Sequence, residues 1–271
     1  MKLYKLGGTI AILACVGILV FSYLSWQDKL QQAAGTNAEV SNSTSTDITE
    51  TETKQNETET TQTESNRDEF VNNGEQLANM DEQVQQLFLN KHSEDETVQM
   101  LIAGSAALES GEPGYAERLE NELEEAYGEL VDVTIETVTG TSDSLKSVDL
   151  ETEYDLVLLE PMTLMNNDRI SIEDEREDVR DFTARLQETN TDAIVILHPP
   201  QPIFGAGYYL AQVQALGQFA TLYGYPYINH WEAWPDTDDS ALREHLTEDA
   251  VPNNRGAEAW ASELINYFIA N

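Results

Sequence analysis

From Val98 to the C-terminus, short apolar runs alternate with longer amphipathic stretches. The runs Val98–Ala103, Val131–Val138, Asp155–Leu159, Ala193–Leu197 and Tyr225–Ile228 have the length and near-continuous apolar character of strands buried on both faces. Between them, Tyr115–Tyr127, Ile172–Glu188 and Tyr208–Tyr223 read as helices, and Gly256–Phe268 closes the chain. The helical period is clearest in the first, with Tyr115, Leu119, Leu123 and Ala126 on one side and Glu117, Glu120 and Glu124 on the other. Strand and helix alternating over short links predict a three-layer α/β/α domain around a five-stranded parallel sheet, occupying residues 97–271. A weakly amphipathic stretch, Phe70–Asn90 with Leu77, Val84, Leu87 and Phe88, predicts a lead-in helix within residues 68–96.

The N-terminal third follows a different pattern. Residues 7–26 hold no charge and are long enough to span a bilayer. Lys2 and Lys5 precede this run, and Tyr23 and Trp26 stand at its outer end as interfacial anchors. We expect one transmembrane anchor over residues 1–32, with a cytoplasmic N-terminus and the rest of the chain outside the cell. Residues 33–67 collapse to Thr, Glu, Ser, Asn and Gln, a composition that cannot bury enough apolar surface to offset chain entropy, and they read as a disordered acidic linker.

Charge and cysteine content narrow the function. Fifty acidic residues oppose fourteen basic ones for a net charge of −36, which argues against nucleic acid as a partner, because that demands a basic surface. The single cysteine, Cys15, lies in the apolar run, so neither an internal disulfide nor a multi-thiolate metal site can form. Asp236-Thr237-Asp238-Asp239-Ser240 lacks the glycine and distal glutamate of a calcium loop, and Gly205-Ala206-Gly207 is no dinucleotide fingerprint. No metal and no cofactor is expected.

In a parallel sheet, ligands bind outside the carboxyl ends of the strands. Those ends carry Gly104-Ser105, Gly140-Thr141-Ser142-Asp143, Glu160-Pro161-Met162-Thr163, His198-Pro199-Pro200 and Asn229-His230-Trp231. With Gly104-Ser105-Ala106 after the first strand, Gly140-Thr141-Ser142 after the second, Tyr154 to Leu159 as the third and Pro252-Asn253 with Gly256 opening the last helix, the chain resembles the SGNH/GDSL hydrolase family. The resemblance implies a flavodoxin-like three-layer fold and esterase, lipase or deacylase activity. Its blocks also imply a serine nucleophile at Ala106 and a histidine base at Val251, so both positions have lost the family's residue.

A serine is a weak nucleophile until a base is hydrogen-bonded to it. The nearest substitutes are Ser105, one residue early on the same turn, and His198 after the fourth strand. In the sheet order 2-1-3-4-5 these lie two strands apart, about 9–10 Å at ~4.8 Å per strand. His230 and His245 are more distant alternatives, and His92 precedes the domain. Gly140, Glu160, Thr163, Asn166, His230 and Asp249 complete the expected cleft, and Trp231, Trp234, Tyr208 and Tyr209 are placed to stack on sugar rings or to pack the sheet edge. Two functions are expected from this set: a cell-surface esterase or deacylase acting on an envelope glycan or lipid ester, or an inactive module that binds an envelope component through the same cleft.

Overall fold

The computed structural model describes residues 74–270. The expected anchor, the linker and the start of the lead-in helix lie outside the described residues. Among the described residues, no helix is long and apolar enough to cross a membrane. The strands are β1 (Val98–Gly104), β2 (Val131–Thr137), β3 (Leu156–Leu159) and β4 (Ile194–Leu197). The helices are α1 (Glu82–Ser93), α2 (Tyr115–Tyr127), α3 (Thr163–Asn166), α4 (Ile172–Thr189), α5 (Tyr208–Tyr223) and α6 (Asn254–Phe268).

All strand pairs are parallel, in the order β2-β1-β3-β4. Alternate residues of each strand feed opposite faces. Met100 and Ile102 of β1, with Leu156 and Leu158 of β3, pack against α1, α2 and α6 through Phe88, Leu119, Leu123, Trp260 and Leu264. Leu101, Ala103, Val157, Leu159, Val195 and Leu197 face α4 and α5 through Val179, Phe182, Leu186, Leu216 and Phe219. The result is three layers, with β1, β3 and β4 buried on both sides and the edge strand β2 open to solvent at Asp132 and Thr134.

The expected fifth strand is reduced to one bridge, between Leu197 and Tyr227. The Leu197 N–H reaches the Pro226 carbonyl at 2.9 Å and the Ile228 N–H reaches the Leu197 carbonyl at 3.0 Å. Pro226 has no N–H to extend the ladder, and the chain leaves the sheet at Asn229 into a short 3₁₀ turn, His230–Ala233. Among the described residues the sheet therefore has four strands.

The lead-in segment also departs from expectation. A 3₁₀ turn, Glu75–Leu77, precedes α1, which begins only at Glu82. Gly74 sits at φ 57°, a left-handed conformation that cannot continue a helix. The interruption is used for docking onto α6. The Asn79 side chain donates to the Asn266 carbonyl at 2.8 Å, the Tyr267 hydroxyl donates to the Asp81 carboxylate at 2.9 Å, and the Ala270 N–H donates to the Gln76 carbonyl at 2.8 Å.

Candidate active site

β1 delivers Gly104 and Ser105 to the carboxyl end of the sheet, where the chain turns into a 3₁₀ segment, Ala106–Glu109. A Cβ on Gly104 would lie 2.8 Å from the Glu160 Cβ, so a glycine is what lets β1 approach the end of β3 this closely. Ser105 is buried and caps the turn: its hydroxyl accepts the Ala107 N–H at 3.4 Å, and its own N–H donates to Glu160 Oε2 at 2.8 Å. Ala106 and Glu109 are the exposed residues of the turn.

Glu160 occupies the end of β3, between Ser105 on β1 and His198 beyond β4. It is 1 % exposed, and burial raises its carboxyl above the ordinary value. The Ser105 hydroxyl, the Ser105 N–H and the Met162 N–H act in the opposite direction by favouring the ionised form. Its Oε1 makes no hydrogen bond among the described residues, and neither do the buried Tyr115 hydroxyl and His198 Nε2. Tyr115 is pushed well above its ordinary pKa by burial and then by Glu160.

His198 is fully buried and does not hydrogen-bond to Ser105; burial lowers its pKa to about 3. The Trp260 indole N–H donates to its Nδ1 at 3.4 Å. Indole is only a donor, so neutral His198 carries its proton on Nε2. Tyr115, His230 and Trp260 contact the ring edge to face at 5.7, 5.9 and 5.8 Å. His230 is equally buried, with its Nε2 2.7 Å from the Pro199 carbonyl and its Nδ1 accepting the Trp234 indole N–H at 3.1 Å. It stacks on Trp260 at 4.3 Å, and burial, then His198, lowers its pKa well below the ordinary value. His245 is partly buried beside Trp234, with Nδ1 3.2 Å from the Ala241 carbonyl. The histidines at the strand ends are thus built into an aromatic core.

The other expected cleft residues form a second network. Gly140, at φ 110°, turns the chain so that the Ser142 N–H meets Asn166 Oδ1 at 2.9 Å. Asn166 and Thr163 donate to Glu175 at 2.6 and 2.9 Å, and the Ser142 hydroxyl donates to Asp178 at 2.6 Å. Both ends of the Asn166 amide are engaged. Glu175, in the first turn of α4, was not singled out from the sequence; it is 5 % exposed, and burial raises its pKa to about 7 against the pull of Asn166 and Thr163. Nothing in the local sequence separates it from exposed Glu173 and Asp174. Asp249 is exposed in the turn that leads to Val251. That turn closes through Thr247 N–H to the Val251 carbonyl at 2.8 Å, and Asn253 then caps α6.

Two cavities flank this end of the sheet. One, of about 630 Å³, borders the turn after β1 and is lined by Leu108, Glu109, Pro113, Gly114 and Ile135 among others. The second, of about 640 Å³, is lined by Asn229, Trp231, Glu232, Trp234, Asp236 and Asp238 together with Gly205 and Leu210. Ser105 and His198 line neither. Among the described residues no group of three or more His, Cys, Asp or Glu side chains is placed to hold a metal.

No family model matches the chain, and no curated protein does. Solved structures do. The fold is similar to that of an acetylxylan esterase from Geobacillus stearothermophilus, at 15 % identity and TM-score 0.51, over 63 % of this chain and 93 % of that one. It is also similar to a psychrotrophic esterase from Pseudoalteromonas sp., at 17 % identity and TM-score 0.50, over 63 % and 96 %. A protein described as a GDSL-like lipase from Parabacteroides merdae matches at 12 % identity and TM-score 0.52, over 63 % and 94 %. The chain has an SGNH/GDSL hydrolase fold.

Proposed function

We propose that the protein is an ester hydrolase or deacylase of an envelope glycan, with Ser105 as nucleophile and Glu160 as its proton acceptor. The observation that carries this reading is the contact of Glu160 with Ser105 at the end of the central strands. A carboxylate destabilised by burial is a stronger base than one in water. As Ser105 Oγ bonds to the ester carbonyl carbon, its proton passes to Glu160, which returns it to the departing alcohol. Water then attacks the acyl-serine with Glu160 again taking the proton, and Glu160 passes it to Ser105 Oγ as the acyl–oxygen bond breaks and the acid is released. The Ser105 hydroxyl must leave the Ala107 N–H, so the turn Ala106–Glu109 has to open for substrate. A glycan is favoured over a lipid by the second cavity, where the half-buried Trp231 stands beside Glu232, Asp236 and Asp238, carboxylates that would accept from sugar hydroxyls. The apolar run at residues 7–26 supports a membrane-anchored, outward-facing placement.

A second reading is favoured by Ala106. It is exposed, while Ser105 is buried and hydrogen-bonded to the main chain. In that reading the cleft binds an ester-bearing glycan without cleaving it. Labelling with a fluorophosphonate separates the two. Hydrolysis predicts labelling that Ser105→Ala abolishes, with acylation slowed roughly 10²–10⁴-fold in Glu160→Gln. No labelling, with acetylated glycan still retained, leaves binding alone.

A further inference from the structure

Among the described helices longer than one turn, α5 is set apart by its lack of charge. The chain holds 50 acidic and 14 basic residues, yet no Asp, Glu, Lys or Arg occurs between Asp192 and Glu232, and α5 lies within that stretch. α5 packs Leu216, Phe219 and Ala220 into the core beside α4. Its opposite side is open: Leu210 is 38 % and Leu222 77 % exposed, and Ala211, Gln214, Gln218 and Thr221 are exposed between them. Four-residue spacing sets Leu210, Gln214, Gln218 and Leu222 on a single ridge. Read from either end, the ridge is Leu, Gln, Gln, Leu, centred on position 216.

We propose that this face docks onto the same face of a second copy of the chain, in an antiparallel twofold pair. About an axis level with position 216, Leu210 meets the second copy's Leu222, Ala211 meets its Thr221, and Gln214 meets its Gln218. A side-chain amide both donates and accepts, so two facing glutamines satisfy each other, and an isologous contact needs this kind of self-complementarity. Electrostatics selects the same occupant. Two chains of net charge −36 repel wherever acidic surfaces meet, and like charges brought together across an interface cost several kcal/mol; an uncharged helix is where that repulsion is least. Arg180 of α4, lying 5.9 Å from the Tyr223 ring, gives the rim a cation toward the other copy's acids. A cationic partner would instead choose the acidic surface. A lipid surface would bury the glutamine amides without partners, which costs free energy for each group.

α5 is about 24 Å long at 1.5 Å per residue, so one helix-to-helix contact is at the small end of specific interfaces, and pairing in the micromolar range is expected. The test is sedimentation equilibrium of the full-length protein in density-matched detergent. Wild type should dimerise and Leu222→Glu should be monomeric. Adding Leu210→Lys to Leu222→Glu should restore the dimer, because the new charges are about 18 Å apart along one helix yet face each other across the axis. In a Cys15→Ser background, Leu210→Cys with Leu222→Cys should form an intermolecular disulfide under mild oxidation, and neither single cysteine should. A monomeric wild type, a dimer that survives Leu222→Glu, or a loss that Leu210→Lys does not rescue would each overturn the proposal. Wild type that stays monomeric but binds phosphatidylcholine vesicles through this face, with Leu222→Glu abolishing the binding, would replace the second copy with a lipid surface.

Discussion

Glu175→Gln should change how the stability of the domain depends on pH. In the folded chain the Glu175 carboxyl has a pKa of about 7, against an ordinary 4.5, because burial penalises its charge. Below the ordinary value it is protonated whether the chain is folded or not, and its contribution is then fully favourable. As pH rises from about 4.5 toward about 7, the unfolded chain releases its proton while the folded chain keeps it, so stability falls; above that range the penalty is constant. Applying 1.36 kcal/mol per pKa unit, the loss between about pH 5 and pH 8 is about 2–3 kcal/mol. Glutamine mimics the neutral acid. Its amide oxygen can accept from Asn166 and its amide N–H can donate to the Thr163 hydroxyl, replacing contacts of 2.6 and 2.9 Å.

Urea unfolding followed by tryptophan fluorescence, in wild type and variant at each pH, measures this directly. Raw profiles sum over several groups, including His198 and His230, whose lowered pKa values give stability that is lost as pH falls through and below the ordinary histidine range. The difference between variant and wild type isolates Glu175. It should grow in favour of Glu175→Gln by about 2–3 kcal/mol from pH 5 to pH 8. Parallel profiles for the two proteins would refute a buried, proton-retaining Glu175.

Trp260→Ala should cost about 3–5 kcal/mol in the same assay, because Trp260 is fully buried between Tyr115 at 4.1 Å and His230 at 4.3 Å. Gly104→Ala should cost about 1–3 kcal/mol from overpacking, as its Cβ would sit 2.8 Å from that of Glu160; thermal melts provide the check. Asn253→Ala should lose about 1–2 kcal/mol, since its Oδ1 caps the Arg255 and Gly256 N–H groups while its Nδ2 ties back the Glu244 carbonyl. Hydrogen exchange should show the first turn of α6 opening in that variant.

Periodicity reached most of the architecture because β1, β3 and β4 are buried on both faces and the longer helices on one. α2 and α5 begin and end where the apolar pattern does. Tyr225–Ile228 misled because its apolar character is that of a strand while Pro226 removes a ladder donor, a distinction that depends on the neighbour it meets. The strand-end residues were identifiable as a set, but their partners were not. His198 and His230 are spoken for by Trp260 and Trp234, and those contacts bring together positions as far apart in sequence as 198 and 260. Glu160 between Ser105 and His198 follows from strand order and not from any local motif.

The clasp of Asn79 and Asp81 with Asn266 and Tyr267 also has a mechanical side. Entry to the domain and exit from it share one junction, so a pull arriving along the residues before Gly74 meets the clasp before any strand. Under load the polar contacts part first and the tension then follows the chain into α1, held in the core by Val84 and Phe88. A force transmitted from the N-terminal side would therefore reach β1, an interior strand, only after the clasp and α1 have both yielded.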